Sequence, residues 1–449
     1  MATNHLAGCS GPQNWTPPDL LPNTARYPRV TSPATRPGMS IRHLFLSTSL
    51  LLATTTACAS DDELTQPVRT GPGVSAESIS LGVLTDMTGP FKGSSVYRIR
   101  GYELYLDAVN KRGGVCGRRI ELKQKDHAYD VQKALDGYFE LEPQVLGFID
   151  VAGQPMTAAI EPDLMQTRAL TVPGSWAASL LGNPHMMIVG TTYDLDVING
   201  LDHYKREGAL ANGDTIGHLH LRGSFGENAL EGSRFAAENW GLKVSEQAVT
   251  ETTASLLDQV TALKAAGAKV LVLSLTPPQT AAAVGIAAQL GWSVPILSSA
   301  VSYDPAIMES PVAPVFAKQV LLTSPVAPWS ADVDGVRELR DGYHQRFPGE
   351  EGTLNTVHGY TVAMAYVAVL EKACGKRDLT RDGVLRAFHD TTGLSTKNLT
   401  GELRFSLVGR PSATQSYMSR PDPQTPGTLK VVEGLHESEL VKLKGTRAR

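Results

Sequence analysis

The sequence predicts an α/β protein of two doubly wound, parallel-sheet lobes joined by a multi-strand hinge. Three observations carry this. Short apolar runs alternate with helical stretches from Ser78 onward. The alternation pauses near residue 195 and restarts with the same spacing. The segments after the apolar runs are rich in Gly, Ser, Thr and Pro, as loops are. Strands and helices alternating at this spacing make βαβ units and a parallel sheet.

In the first series, SISLGVLT is a strand and YRIRGYELYLDAVNKRGG a helix ended by glycines. RRIELKQKD alternates apolar and polar residues, as a half-covered strand does. DVQKALDGYFELEP is a helix, VLGFID a short buried strand, TAAIEPDLMQTR a helix and ALTVP a strand. The second series opens with the helical LDVINGLDHYKREGA. It continues as strand TIGHLHLR, helix ENALEGSRFAAENWG, strand KVSEQAVT, helix SLLDQVTALKAAG, strand KVLVLSL, helix PQTAAAVGIAAQLG and strand VPILSS. A long helix, VHGYTVAMAYVAVLEKACG, comes later, and the tail holds strand-like pieces such as ELRFSLVG and TLKVVEG. The expected division is 78–195 with 325–411 as one lobe and 196–324 with 412–449 as the other.

Ligands of open parallel sheets sit beyond the carboxyl ends of the strands. Here those loops are 85–96, 151–156, 174–178, 223–228, 276–279 and 299–304. If the lobes face each other, all six line one cleft.

The stretch STSLLLATTTACASDDEL stands well before this body. From Met39, a short basic start leads into an apolar run, Leu44 to Ala53, too short to span a bilayer, and then into small residues before Cys58. The order resembles a bacterial lipoprotein signal at 39–57, with lipid on Cys58; the alternative is a secretory signal with an incidental cysteine. Residues 1–38 read as disorder or as an upstream start. Residues 58–77, rich in Pro and Gly, read as a tether. The expected place is the outer face of the cytoplasmic membrane. There Cys116 and Cys374 are most simply one disulfide, the alternative being two buried thiols.

The net charge of −4 comes without a basic cluster, which argues against nucleic acid as a partner. His218 and His220 share one face of a strand, but no acid or cysteine near them has ligand spacing, so they read as core histidines rather than a metal site. GSFGEN is not a phosphate-binding loop, and PGSWA lacks the glycines of a nucleophile elbow. Asp126 and Asp130 read as a helix cap rather than a catalytic pair. No nucleophile, base and acid form a set, so no enzyme and no cofactor are expected.

The opening block LGVLTDMTGPFKG…GYELYLDAVNKRGGVCGRRIELKQKDHAYD resembles the branched-chain amino-acid binding proteins, the type I periplasmic binding proteins of ABC importers. FIDVAGQPMTAAIEP, LTVPGSW, GSFGENALEGSRFAAENWG and HGYTVAMAYVAVLEKA continue the resemblance in order. It implies a monomeric extracytoplasmic protein that closes on a small molecule and delivers it to permease subunits. A sensor domain of the same fold is the alternative. The resemblance places the ligand carboxylate on Gln154 and on Gly174 to Trp176. It puts an aromatic from the second lobe at Phe225 and another ligand position at Thr276. Trp176 and Phe225 are expected as apolar walls, with Ser94 and Tyr193 adding hydrogen bonds. The acid that would meet an α-ammonium is expected near Ala300, where alanine cannot serve; Asp304 and Asp194 are the conceivable substitutes. A buried ammonium without a carboxylate is costly. The departure therefore favours an apolar or aromatic carboxylate, or an amide, over leucine.

Overall fold

The computed structural model describes residues 67–446. The expected signal segment and Cys58 lie outside the described residues. In chain order the elements begin with β1 (Arg69–Thr70), β2 (Ser78–Thr85), α1 (Lys92–Lys111), β3 (Arg119–Asp126), α2 (Val131–Leu141), β4 (Gly147–Ala152), α3 (Gln154–Thr167) and β5 (Thr171–Gly174). They continue with α4 (Tyr193–Arg206), β6 (Thr215–Leu221), α5 (Ser224–Trp240), β7 (Lys243–Val249), α6 (Leu257–Ala265), β8 (Ala268–Ser274), α7 (Pro277–Gln289) and β9 (Ile296–Ser299). Then come α8 (Ala313–Gln319), β10 (Val320–Ser324), α9 (Asp334–Arg346), α10 (Leu354–Gly375), β11 (Asp378–Leu379), α11 (Arg381–His389), β12 (Ser416–Pro421), β13 (Leu429–His436) and α12 (Glu439–Thr446).

The first sheet has strand order β3-β2-β4-β5 and is parallel throughout. Its central strand β2 reads as a near-continuous apolar run because helices cover both faces. Ile79, Leu81 and Val83 pack with Tyr102 and Leu106 of α1 and Val362 and Tyr366 of α10. Leu84 and Phe148 pack with Tyr138 of α2 and Ile160 of α3. The second sheet has order β13-β12-β10-β9-β8-β6-β7, with β6 to β10 parallel and β12 and β13 returning antiparallel. One face lies on α4 and α5 through Ile216, Val270, Ile198 and Ala236. The other lies on α6 and α7 through Leu219, Leu271, Val260 and Val284. The chain passes between the sheets after β5, after β10 and before β12, so the two-lobed α/β fold read from the sequence is the one observed.

Cys116 and Cys374 form a disulfide that ties the turn after α1 to the end of α10, with Cα atoms 5.8 Å apart. Asp130 caps α2 by accepting from the Lys133 amide at 2.8 Å. Asp126 instead accepts from the Met87 and Ala128 amides, both at 2.9 Å. His218 is buried, with its ring nitrogens 2.9 Å from Ser233 Oγ and 3.0 Å from Ser274 Oγ. Among the described residues no group of three His, Cys, Asp or Glu is placed to hold a metal, and no helix is long and apolar enough to cross a membrane.

Two expectations need correction. The tether does not run to residue 77, because β1 pairs in parallel with β11 and Arg69 meets Asp378 at 3.1 Å. ELRFSLVG is not a strand. Leu403 and Phe405 are buried in the first core and Leu403 makes one bridge to Leu394, but no neighbouring strand offers a ladder and Leu407 and Val408 are exposed.

Candidate functional site

The loops that leave the strands of both sheets converge on one cavity. It holds about 1020 Å³ of space between protein atoms, part of it open to solvent. All six loops named from the sequence contribute lining side chains or backbone.

The geometry starts in the loop after β2. The buried Asp86 carboxylate accepts from the Gly89 amide at 2.5 Å and the Phe91 amide at 2.8 Å. That tuck starts α1 at Lys92, earlier than its apolar pattern suggests, and turns Ser94 and Arg98 to the cavity. After β4, Gly153 takes a φ of 94°, a backbone that favours glycine, and α3 begins with no side-chain cap. After β6, Gly223 takes a φ of 101° and α5 also begins without a side-chain cap. Two helix N-termini without an N-cap side chain, one on each sheet, therefore border the cavity; at α5 the Glu227 carboxylate accepts from the Gly223 amide at 3.3 Å. Such ends favour an anion. They are close across it: a methyl group on Gly223 would lie 3.6 Å from Gln154 Oε1.

All seven residues named as ligand contacts line this cavity: Ser94, Gln154, Gly174, Trp176, Tyr193, Phe225 and Thr276. Gly174 has no room for a side chain, since a methyl there would lie 2.7 Å from the Ala152 Cα. Trp176 stands edge-on to Tyr193, with centroids 5.8 Å apart, and Tyr193 tilts against Phe225 at 4.6 Å. These rings form a continuous apolar wall. Tyr193 is buried within it, which pushes its phenol up to about 12. Thr276 caps α7, its hydroxyl donating to Gln279 Oε1 at 3.0 Å, so it is committed within its own loop.

No acid stands at Ala300, which is buried on the cavity wall. Asp304 accepts from the Ala306 amide at 2.9 Å and faces Gly93 rather than the cavity. Asp194 accepts from Thr192 Oγ1 at 2.5 Å and pairs with Lys444 at 2.8 Å. Neither lines the cavity. The lining acids are Asp86, engaged by its own loop, and Glu251, exposed at the rim.

Sequence reasoning missed Tyr129, Arg98 and His358. Tyr129 tilts against Phe91, with centroids 4.8 Å apart, from a loop with positive φ. Arg98 lies on the buried stripe of α1, between Ser95 and Tyr102, and that spacing was the available signal. His358 belongs to a helix that is apolar nearly all round, so no periodicity marked it.

A family model described as Periplasmic binding protein matches residues 78–421. Among solved structures, the chain is similar to a fatty acid ABC transporter substrate-binding protein from Thermomonospora curvata. The two are 34% identical over 85% of this chain and 97% of that one, with a TM-score of 0.80. A branched chain amino acid ABC transporter from Thermus thermophilus with bound valine is 18% identical over 83% and 99%, at a TM-score of 0.70. A leucine binding protein from Thermotoga maritima is 15% identical over 80% and 99%, at 0.69. The last two likenesses are of fold alone. Comparison with curated proteins gives no match.

Proposed function

The chain belongs to the periplasmic binding protein family, and from that premise we propose that it is the extracytoplasmic substrate-binding protein of an ABC importer for apolar monocarboxylates, the fatty acids foremost. The observation that carries this reading is the cavity wall. Trp176, Tyr193 and Phe225 make it apolar, two helix ends without an N-cap side chain border it, and the position where an ammonium would need a carboxylate holds Ala300. The named ligand of the Thermomonospora curvata relative belongs to the same chemical class. Seven contacts are assigned: Ser94, the α3 start at Gln154, Gly174, Trp176, Tyr193, Phe225 and Thr276.

Ligand capture would be hinge closure. The lobes, 78–195 with 325–411 and 196–324 with 412–449, close on the ligand because it touches both at once and so binds the closed state more tightly. The permease would read the closed form. In this reading the chain is held at the outer membrane face by lipid on Cys58 and works as a monomer.

A thermal-shift panel of straight-chain carboxylates of increasing length, aromatic acids and branched-chain amino acids tests the proposal. A ligand at 100 times its dissociation constant adds about 2.7 kcal/mol, a shift of a few degrees. Shifts confined to acids without an amino group support it. A shift with leucine and none with the fatty acids overturns it.

A further inference from the structure

Arginine is almost never fully buried unless it is paired. The Arg98 side chain is 11% exposed, and its Nε donates to Asp150 Oδ2 at 3.1 Å from the end of β4. Its Nη2 donates to Thr85 Oγ1 and Ser95 Oγ, each at 3.3 Å. Burial pushes the Asp150 carboxyl up against the pull of Arg98, while on Arg98 burial is the largest single influence but Asp150 and Tyr102 together outweigh it and the guanidinium stays charged. Nε and Nη2 are thus occupied. The guanidinium also faces the Tyr102 hydroxyl of its own helix, and Arg98 lines the cavity.

The opposite piece comes from α10. It crosses α1 with the two backbones in direct contact at glycines. A methyl on Gly359 would lie 2.0 Å from the Arg98 carbonyl oxygen, and one on Gly101 would lie 2.3 Å from the Thr356 carbonyl oxygen. This crossing sets His358, next to Gly359, on the cavity wall near Arg98. His358 is 7% exposed, and its Nε2 has no hydrogen-bond partner. Trp176 packs edge-on against the ring at 5.0 Å. Burial, helped by the Arg98 charge, lowers the ring to about 3, so it is neutral at any physiological pH. A buried ring nitrogen without a partner is costly and calls for an explanation.

We propose that Arg98 and His358 form a polar floor in this cavity that receives the ligand carboxylate and selects acids without an α-ammonium. This rests on the monocarboxylate reading above and names the residues that would enforce it. The Arg98 guanidinium donates a charge-assisted hydrogen bond from its cavity side, and the neutral His358 donates a second from Nε2. An α-ammonium would be carried to within a few ångströms of the guanidinium. Asp150 is already taken by Arg98 and the lining Asp86 by the Gly89 and Phe91 amides, so leucine meets repulsion without compensation.

The test compares decanoate, decanol and leucine by titration calorimetry on the whole protein. The variants are Arg98→Met/Asp150→Asn, which removes both charges together, His358→Phe and His358→Gln, each checked by thermal melting. Wild type should prefer decanoate over decanol by about 10–100-fold, the worth of a charge-assisted bond. The double variant should lose that ratio through weaker decanoate binding while decanol is unchanged. His358→Phe should weaken decanoate about tenfold, and His358→Gln should recover most of it. A folded double variant that keeps the decanoate preference overturns the assignment, as does undiminished decanoate binding by His358→Phe where the double variant does not fold. Wild type that binds neither decanoate nor any other fatty acid brings down the parent reading and this one with it.

Discussion

Replacing Gly359 by alanine probes the helix crossing that builds the floor of the cleft. The added methyl would lie 2.0 Å from the Arg98 carbonyl oxygen, where ordinary contact begins at 3.4 Å. The atoms met are backbone on both sides and cannot swing away. The helices must therefore part by roughly 1.4 Å in a close-packed core. Overpacking of this kind costs about 3 kcal/mol at the upper end of its usual range. Alanine recovers about 1 kcal/mol of helix propensity over glycine, leaving a net loss of about 2 kcal/mol. Gly375, on the same helix, is the internal control, since a methyl there meets nothing within 4 Å. Gly375→Ala should be neutral or stabilise by about 0.5 kcal/mol. Urea unfolding of both variants measures the difference. Titration with decanoate should also show Gly359→Ala weakened about tenfold, because parting the helices separates Arg98 from His358. Equal stability of the two variants would refute the reasoning.

Three further outcomes follow from other parts of the structure. Phe225→Ala should weaken fatty-acid binding by about 10–100-fold with little change in melting, the worth of one apolar contact face. Trp176→Ala, at a buried position, should instead cost about 3–5 kcal/mol of stability; the reverse pattern would misplace both residues. Asp196 is buried, and burial pushes its carboxyl up to about 7, while its Oδ1 accepts from Thr191 and Ser416. With the folded pKa raised, the stability tied to its protonated form is present below about pH 4 and lost as pH rises through about 7. The difference in melting temperature between Asp196→Asn and wild type should therefore grow in the variant's favour from pH 4 to 7 and then level off; a flat difference contradicts the burial argument. Replacing both Cys116 and Cys374 by serine should lower the urea midpoint by the equivalent of about 2–5 kcal/mol, the usual cost of losing a native disulfide. Ligand affinity should be kept, because the bridge lies within one lobe; an unchanged midpoint counts against it.

Much of the fold was legible because parallel strands covered on both faces read as apolar runs, as in β2 and β8, and the glycine-rich loops mark their ends. β12 was not. Its SYMSRP shows no apolar run, yet Ser416 and Ser419 are buried, the first with its hydroxyl on Asp196, and pairing with β10 and β13 makes it a strand. Six of the seven residues named from loops and resemblance line one cavity because loop position at a strand end is a local property; Tyr193 joins them from the start of α4. Arg98 and His358 did not show, because their significance lies in a helix crossing between α1 and α10, far apart in sequence and fixed by two glycines. The missing acid at Ala300 was readable as a single letter. That Asp194 could not replace it depended on Lys444, which no pattern in the sequence links to it.

The central claim is that the cleft takes an apolar carboxylate and not an α-amino acid. Titration calorimetry of decanoate and of leucine at two temperatures tests it most directly. Decanoate should bind, with a negative heat-capacity change from apolar burial, and leucine should give no heat of binding. Saturable binding of leucine with none of decanoate would contradict the claim and call for a carboxylate partner to the ammonium that the cavity does not place at Ala300.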